Sequence, residues 1–147
     1  MLFAALKFSH LLALMLLFSA SLAKNLLIAQ TPVQSQSLYL CRRADQVSGA
    51  AAGLVVLSGI ALLFSSPKGS AFYTSNSLFW LKLFVLFLAS ALIVRTKLFF
   101  RKRENAMSTC AAEVPRFVRA ILKFDFASLV VITGLGVLIV SGVGPRL

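Results

Sequence analysis

The sequence predicts an all-α integral membrane protein, an up-down bundle of four transmembrane helices forming a single domain over residues 1–147. Three observations carry this. Hydrophobic residues make up 59 % of the chain and charged residues 13 %, whereas a water-soluble domain carries about 25 % charged residues. A soluble fold of this length buries too small a share of its chain to hide so much apolar surface. The apolar residues also fall into four stretches, each near the roughly 20 residues that a spanning helix needs. Nothing alternates with the strand period of a barrel, and a chain crossing lipid must satisfy its backbone internally, so the spans are helices.

The first span runs from about Leu2 to Ala29 and ends before Thr31-Pro32 and the polar Gln34-Ser35-Gln36. Its Ser21-Leu22-Ala23 also fits the small-residue end of a secretory signal. Against that reading, Leu26, Leu27, Ile28 and Ala29 continue the apolar pattern beyond it. The second span, from about Gln46 to Phe64, is closed by Ser65-Ser66-Pro67-Lys68-Gly69-Ser70. The third, from about Leu78 to Phe100, is expected to end at Arg101-Lys102-Arg103-Glu104-Asn105. The fourth, from about Phe117 to Val143, stops within Gly142 to Pro145, because glycine and proline punctuate helices.

Orientation follows from the basic residues. Lys24, Arg42, Arg43, Arg95, Lys97, Arg101, Lys102, Arg103, Arg116, Arg119 and Lys123 fall on one side, against Lys7, Lys68 and Arg146 on the other. The positive-inside rule therefore puts the first and third loops in the cytoplasm and both termini outside, as in a bacterial inner-membrane protein. Tyr73, Phe79 and Trp80 then sit at the outer interface, where aromatic belts form. The net charge of +11 is read as loops facing anionic headgroups, with no nucleic-acid partner expected. Cys41 and Cys110 have no metal-ligand spacing, and both are expected in the reducing cytoplasm.

Few residues carry chemistry. His10, the only histidine, lies about 12 Å along the first helix at 1.5 Å per residue. An ionisable group at that depth marks a functional site by default: the imidazole either ligates haem iron or another metal or stays neutral and hydrogen-bonded inside the bundle. One histidine cannot supply bis-histidine ligation in a monomer, although a homodimer could. Lys82 is expected at a similar depth on the third span, where it lines an outer pocket with His10 or snorkels to the interface beside Trp80. Lys7 lies one turn from His10 on the same face. A second group, Lys24, Asp45 and Asp125, lies toward the cytoplasmic side, with Asp45 opening the second helix. Lys24, Arg43 or Lys123 is the expected ion-pair partner for these carboxylates. Gly49 and Gly53 form a GxxxG element that permits close helix approach, either as a homo-oligomer seam or inside the bundle. No nucleotide-binding loop, paired metal motif or serine-histidine-acid constellation is present, so soluble-type hydrolase, kinase and dehydrogenase chemistry has no support.

With His10, Arg43-Ala44-Asp45 and the stretch Lys68-Gly69, Phe72-Tyr73, Asn76 and Phe79-Trp80-Leu81-Lys82 in view, the chain resembles a bacterial predicted-membrane-protein family, a domain of unknown function. That family is loosely similar to the CopD copper-resistance proteins and the HemJ-type protoporphyrinogen oxidases. Ser77 stands where the family often has proline, Ile93 lies in an apolar stretch where it often has glutamate, and Asp125 replaces a glutamate. The HemJ likeness implies haem or porphyrin binding at His10 and Lys82. The CopD likeness implies copper or other ion handling, with His10 and Met15 as the available ligands. A scaffold subunit without a ligand is the remaining alternative.

Overall fold

The structure is a computed structural model and describes residues 1–29, 35–106 and 114–144. Thr31, Pro32, Gln34, Cys110, Pro145 and Arg146 lie outside the described residues. The elements are α1 (Leu2–Ala29), α2 (Ser35–Ser65), α3 (Ser70–Thr74), α4 (Ser77–Ala106) and α5 (Arg116–Val140). Four of them are long and apolar enough to cross a membrane. Large apolar side chains such as Leu16, Leu57, Phe84, Phe87 and Val137 are exposed along their flanks. Lipid covers such surface at no cost, where water would not.

Two boundaries differ from the sequence reading. Helix α2 begins at Ser35 rather than near Gln46, so Asp45 lies well inside it instead of opening it. The added turns bury Leu38, Cys41, Asp45 and Ser48 at helical spacing along one face. Leu38 and Cys41 pack there with Ile28, Val118 and Leu122. Helix α4 likewise continues through the basic run to Ala106. Arginine, lysine and glutamate are good helix formers, and cations near a helix C-terminus are favoured by its dipole. The span ends there in the sense of apolarity, but the helix does not.

The long helices alternate in direction. Helix α1 packs most extensively on α2 and also on α5, while α4 packs on α5 and α2. Helices α1 and α4 therefore stand on a diagonal of the bundle. One end carries both described termini of the bundle, and the other is the basic end. Between the ends, Leu17, Ala51 and Leu129 form an apolar belt supported by Phe18, Ala52 and Val55.

The terminal end is clasped by side chains reaching backbone. Helix α5 closes with the Gly142 amide donating to Ile139 O and the Val143 amide to Leu138 O, both at 3.0 Å. This is a Schellman turn, and Gly142 supplies the positive φ of 80° that it requires. Asn76 caps α4, its Oδ1 accepting from the Leu78 amide at 2.9 Å. The same side chain donates from Nδ2 to Val143 O at 3.1 Å. Gly144 lies so close that an added Cβ would come within 2.7 Å of Asn76 Oδ1. Lys68 Nζ donates to Val140 O at 2.8 Å, placing a cation at the α5 C-terminus. Trp80 Nε1 donates to Thr74 O at 3.0 Å, which holds the one-turn helix α3 against α4.

Asn76→Ala is expected to cost about 1–2 kcal/mol through loss of the cap and of the tie to Val143. Asn76→Asp keeps the cap acceptor and loses only the tie, so it should fall between. Unfolding in mixed micelles checks the order.

Candidate functional site

Two polar layers cross the bundle, one on each side of the apolar belt. Along α1 they are separated by the run from His10 to Lys24, about 21 Å at 1.5 Å per residue. Along α4 they are separated by the run from Lys82 to Lys97, about 22 Å on the same rise. The agreement on diagonal helices makes each layer a level slice through the bundle.

The layer nearer the termini contains His10 and Lys82. Ser58 on α2 donates its hydroxyl hydrogen to the Leu54 carbonyl. Ser58 Oγ also lies 2.8 Å from His10 Nδ1, a hydrogen bond in which the ring nitrogen donates or accepts according to its tautomer. The ring lies over Gly59, where an added Cβ would be in ordinary contact with His10 Cε1 at 3.5 Å. Lys82 occupies a similar seat on α5, with Nζ 3.3 Å from the Cβ that Gly136 lacks. The Lys82 ammonium is within electrostatic reach of the imidazole. Lys82 is partly buried, and no carboxylate pairs with it among the described residues. Lys7 is exposed and stands apart from this pair. An apolar groove of about 390 Å³ runs between α1 and α2 at this level, lined by Leu12, Leu16, Leu54, Leu57 and Ser58 among others. Ser58 thus borders both the groove and the histidine.

The layer nearer the basic end gathers charge from all four long helices. Lys24 Nζ lies 2.9 Å from Asp45 Oδ1, with the two side chains 0 % and 7 % exposed. Ser21, one turn before Lys24, donates to Asp125 Oδ2 at 2.7 Å. Asn25 Nδ2 donates to Ser21 O and Leu122 O, at 3.0 and 3.1 Å, tying α1 to α5. Lys97 of α4 lies over Gly49, its Nζ 3.0 Å from where a Cβ would be. Asp125 is within electrostatic reach of Lys24, Asp45 and Lys97 together. Two carboxylates and two ammonium groups therefore share one level.

The sequence-expected residues are distributed unevenly over these layers. His10 and Lys82 come together, as do Lys24, Asp45 and Asp125. Arg43 does not join them. It lies two residues before Asp45, about 200° around the helix, and its guanidinium sits over the Tyr39 ring instead. Lys123 is exposed. Met15 is exposed on the flank of α1, away from the half-buried histidine. Gly49 is taken up by Lys97, while Gly53 is open with nothing within 4 Å of its missing Cβ. Sequence reasoning missed Ser58, Gly59, Gly136 and Lys97 as site residues. Their signal was weak: small residues in apolar helices have many uses, and Lys97 looked like one more basic residue of a loop. In the stretch from Lys68 to Lys82, Lys68, Asn76 and Trp80 clasp the terminal end, and the last residue, Lys82, lies within the apolar span of α4.

Removing one member of the buried pair is expected to be costly. Asp45→Asn or Lys24→Met should destabilise by about 3–5 kcal/mol, because an uncompensated buried charge or an unpaired polar group remains. The double variant Lys24→Met, Asp45→Leu should recover most of that loss. A double-mutant cycle of unfolding in micelles measures it.

No curated protein and no solved structure matches the chain. A family model described as "Predicted membrane protein (DUF2214)" matches residues 3–144. With four apolar helices long enough to span a bilayer and that match covering nearly the whole sequence, the chain belongs to the DUF2214 family of membrane proteins.

Proposed function

We propose that His10 and Lys82 form a binding site for haem or a related anionic porphyrin in the outer leaflet of a bacterial inner membrane. The basic end then faces the cytoplasm and both termini lie outside, as the distribution of lysine and arginine favours. The observation that carries the reading is the anchored ring of His10 beside Lys82, an ammonium uncompensated among the described residues. Ser58 engages Nδ1, and in the tautomer with the hydrogen on Nδ1 the other ring nitrogen is the ligand, since metal-binding histidines are commonly oriented through their other ring nitrogen. The donor set fits such a group: one imidazole nitrogen for iron, one ammonium without a carboxylate partner among the described residues for a propionate, and an apolar groove that reaches the histidine's partner Ser58. Bound haem would supply redox chemistry. The chain's part is to orient the ring through Ser58, to hold the cation on its glycine seat and to keep water out. The likeness to HemJ-type proteins at His10 and Lys82 supports the same assignment.

Protein purified in mild detergent from haem-replete cells should show a Soret band. His10→Ala should abolish it, and Lys82→Met should weaken haem retention while leaving the band position unchanged. A featureless spectrum in the unaltered protein overturns the proposal.

A second reading, ion handling, is favoured by the layer at the basic end. Asp125 and Lys97 lie within electrostatic reach of each other without a direct ion pair among the described residues. That leaves a carboxylate with only Ser21 as its side-chain partner, and intramembrane carboxylates of this kind serve proton relays. Copper is less well provided for, since no group of ligating side chains gathers at His10 among the described residues. In proteoliposomes, a pH gradient should drive proton flux that Asp125→Asn abolishes. Flux equal to that of empty vesicles removes the reading.

A further inference from the structure

The geometry points to a separate phosphate-binding cleft at the basic end, formed by Tyr39, Arg42, Arg43 and Gln46, which takes the headgroup of an anionic phospholipid. It rests on the membrane-spanning placement of α2 and not on the His10–Lys82 reading.

The first argument is depth. Helix α2 has 31 residues, more than the roughly 20 that cross the hydrocarbon. Counted inward from Ser65, the hydrocarbon ends near Gln46. Arg43 and Tyr39 then lie roughly 5–10 Å beyond it at 1.5 Å per residue, in the headgroup layer. The turns that carry them are those by which α2 exceeds the apolar span.

The second argument is the division of faces. Leu38, Cys41, Asp45 and Ser48 turn into the bundle. Tyr39, Arg42, Arg43 and Gln46 share the opposite, exposed face and line a cleft of about 160 Å³. Among the described residues no carboxylate lines it, and Asp45 faces inward to Lys24.

The third argument is hydrogen-bond capacity. Arg43 Nε donates to Tyr39 Oη at 2.9 Å, and its Nη1 donates to Gln46 Oε1 at 3.4 Å. The guanidinium also lies over the Tyr39 ring, 5.2 Å from the centroid. These contacts hold the arginine in place and engage the oxygens of both neighbours. The hydrogens left over belong to the phenol, the amide NH₂ and the far side of the guanidinium. All are donors, and Arg42 adds a second positive charge at the rim. A cleft with fixed donors and positive charge matches phosphate oxygens, which accept hydrogen bonds and favour the forked geometry of arginine. A basic pocket at this level of a membrane protein is where lipid phosphate is met.

The test uses the full chain in detergent, with native mass spectrometry of defined mixtures. Phosphatidylglycerol should be retained about tenfold more tightly than phosphatidylcholine, whose phosphate is the same but brings its own cation against Arg42 and Arg43. The preference should vanish in Arg42→Gln, Arg43→Gln. It should persist in Lys68→Gln at the other end and return only in part in Arg43→Lys, which keeps charge but loses the fork. Tyr39→Phe, which removes the phenol proton without altering charge, should lower it if the double variant fails to fold. Displacement of the lipid by equimolar inorganic phosphate would support the donor chemistry and assign a soluble phosphate as its source. Equal retention of both lipids, or a preference unchanged in the folded arginine or tyrosine variants, overturns the inference.

Discussion

An ammonium and a carboxylate 2.9 Å apart, shut away from both water and lipid, fix how α1 lies on α2. Neither Lys24 nor Asp45 tolerates the hydrocarbon alone, since an isolated charge there costs several kcal/mol or more. Rotating or sliding either helix by one residue would part the pair, so the register of the most extensive helix contact in the bundle is set by one polar interaction. Apolar packing does not specify register as sharply, because lipid and leucine are equivalent neighbours for an apolar helix face. The remaining polar contacts of that layer follow from it. Ser21 lies one turn before Lys24 on the face that meets α5, and so meets Asp125.

The fold was largely legible in the sequence, because lipid imposes a length and a composition on each span. The boundaries of α1 are those expected from apolarity alone. The start of α2 and the end of α4 were not, for a physical reason. Apolarity marks where hydrocarbon begins, but a helix has no need to stop at that level. Ser35 to Asp45 and Arg101 to Ala106 contain no proline or glycine and simply continue. The site was half legible. His10, Lys82, Lys24, Asp45 and Asp125 announced themselves as ionisable groups in apolar surroundings. Gly59 and Gly136 did not, because a glycine's meaning lies in the ring or ammonium that packs over it, and Gly49 was read only as a helix-packing residue and not as the place where Lys97 lies. Ser58 was equally silent, since its meaning comes from a partner 48 positions away.

The two polar layers differ in kind. The one near the basic end is close to internally balanced, with two carboxylates facing two ammonium groups. The one near the termini carries a cation and an imidazole with no anion beside them among the described residues. A balanced layer holds helices together. An unbalanced layer is completed by something negative, and that asymmetry directs the ligand reading toward the His10–Lys82 level. Leu17, Ala51 and Leu129 keep the layers apart, so each can be altered without disturbing the other's charges.

The clasp around Asn76 bears on the order in which the molecule is assembled. Its side chain caps the beginning of α4 yet is also bonded to Val143, near the end of the chain. Lys68, earlier still, waits for Val140. Synthesis delivers the partners in the reverse of the order in which they are needed, as α4 enters the membrane well before α5 exists. Until the last helix arrives, the loop between α2 and α4 holds an unanswered amide and an unanswered cation at the water boundary. Arrival of α5 therefore works as a latch, locking a loop made long before.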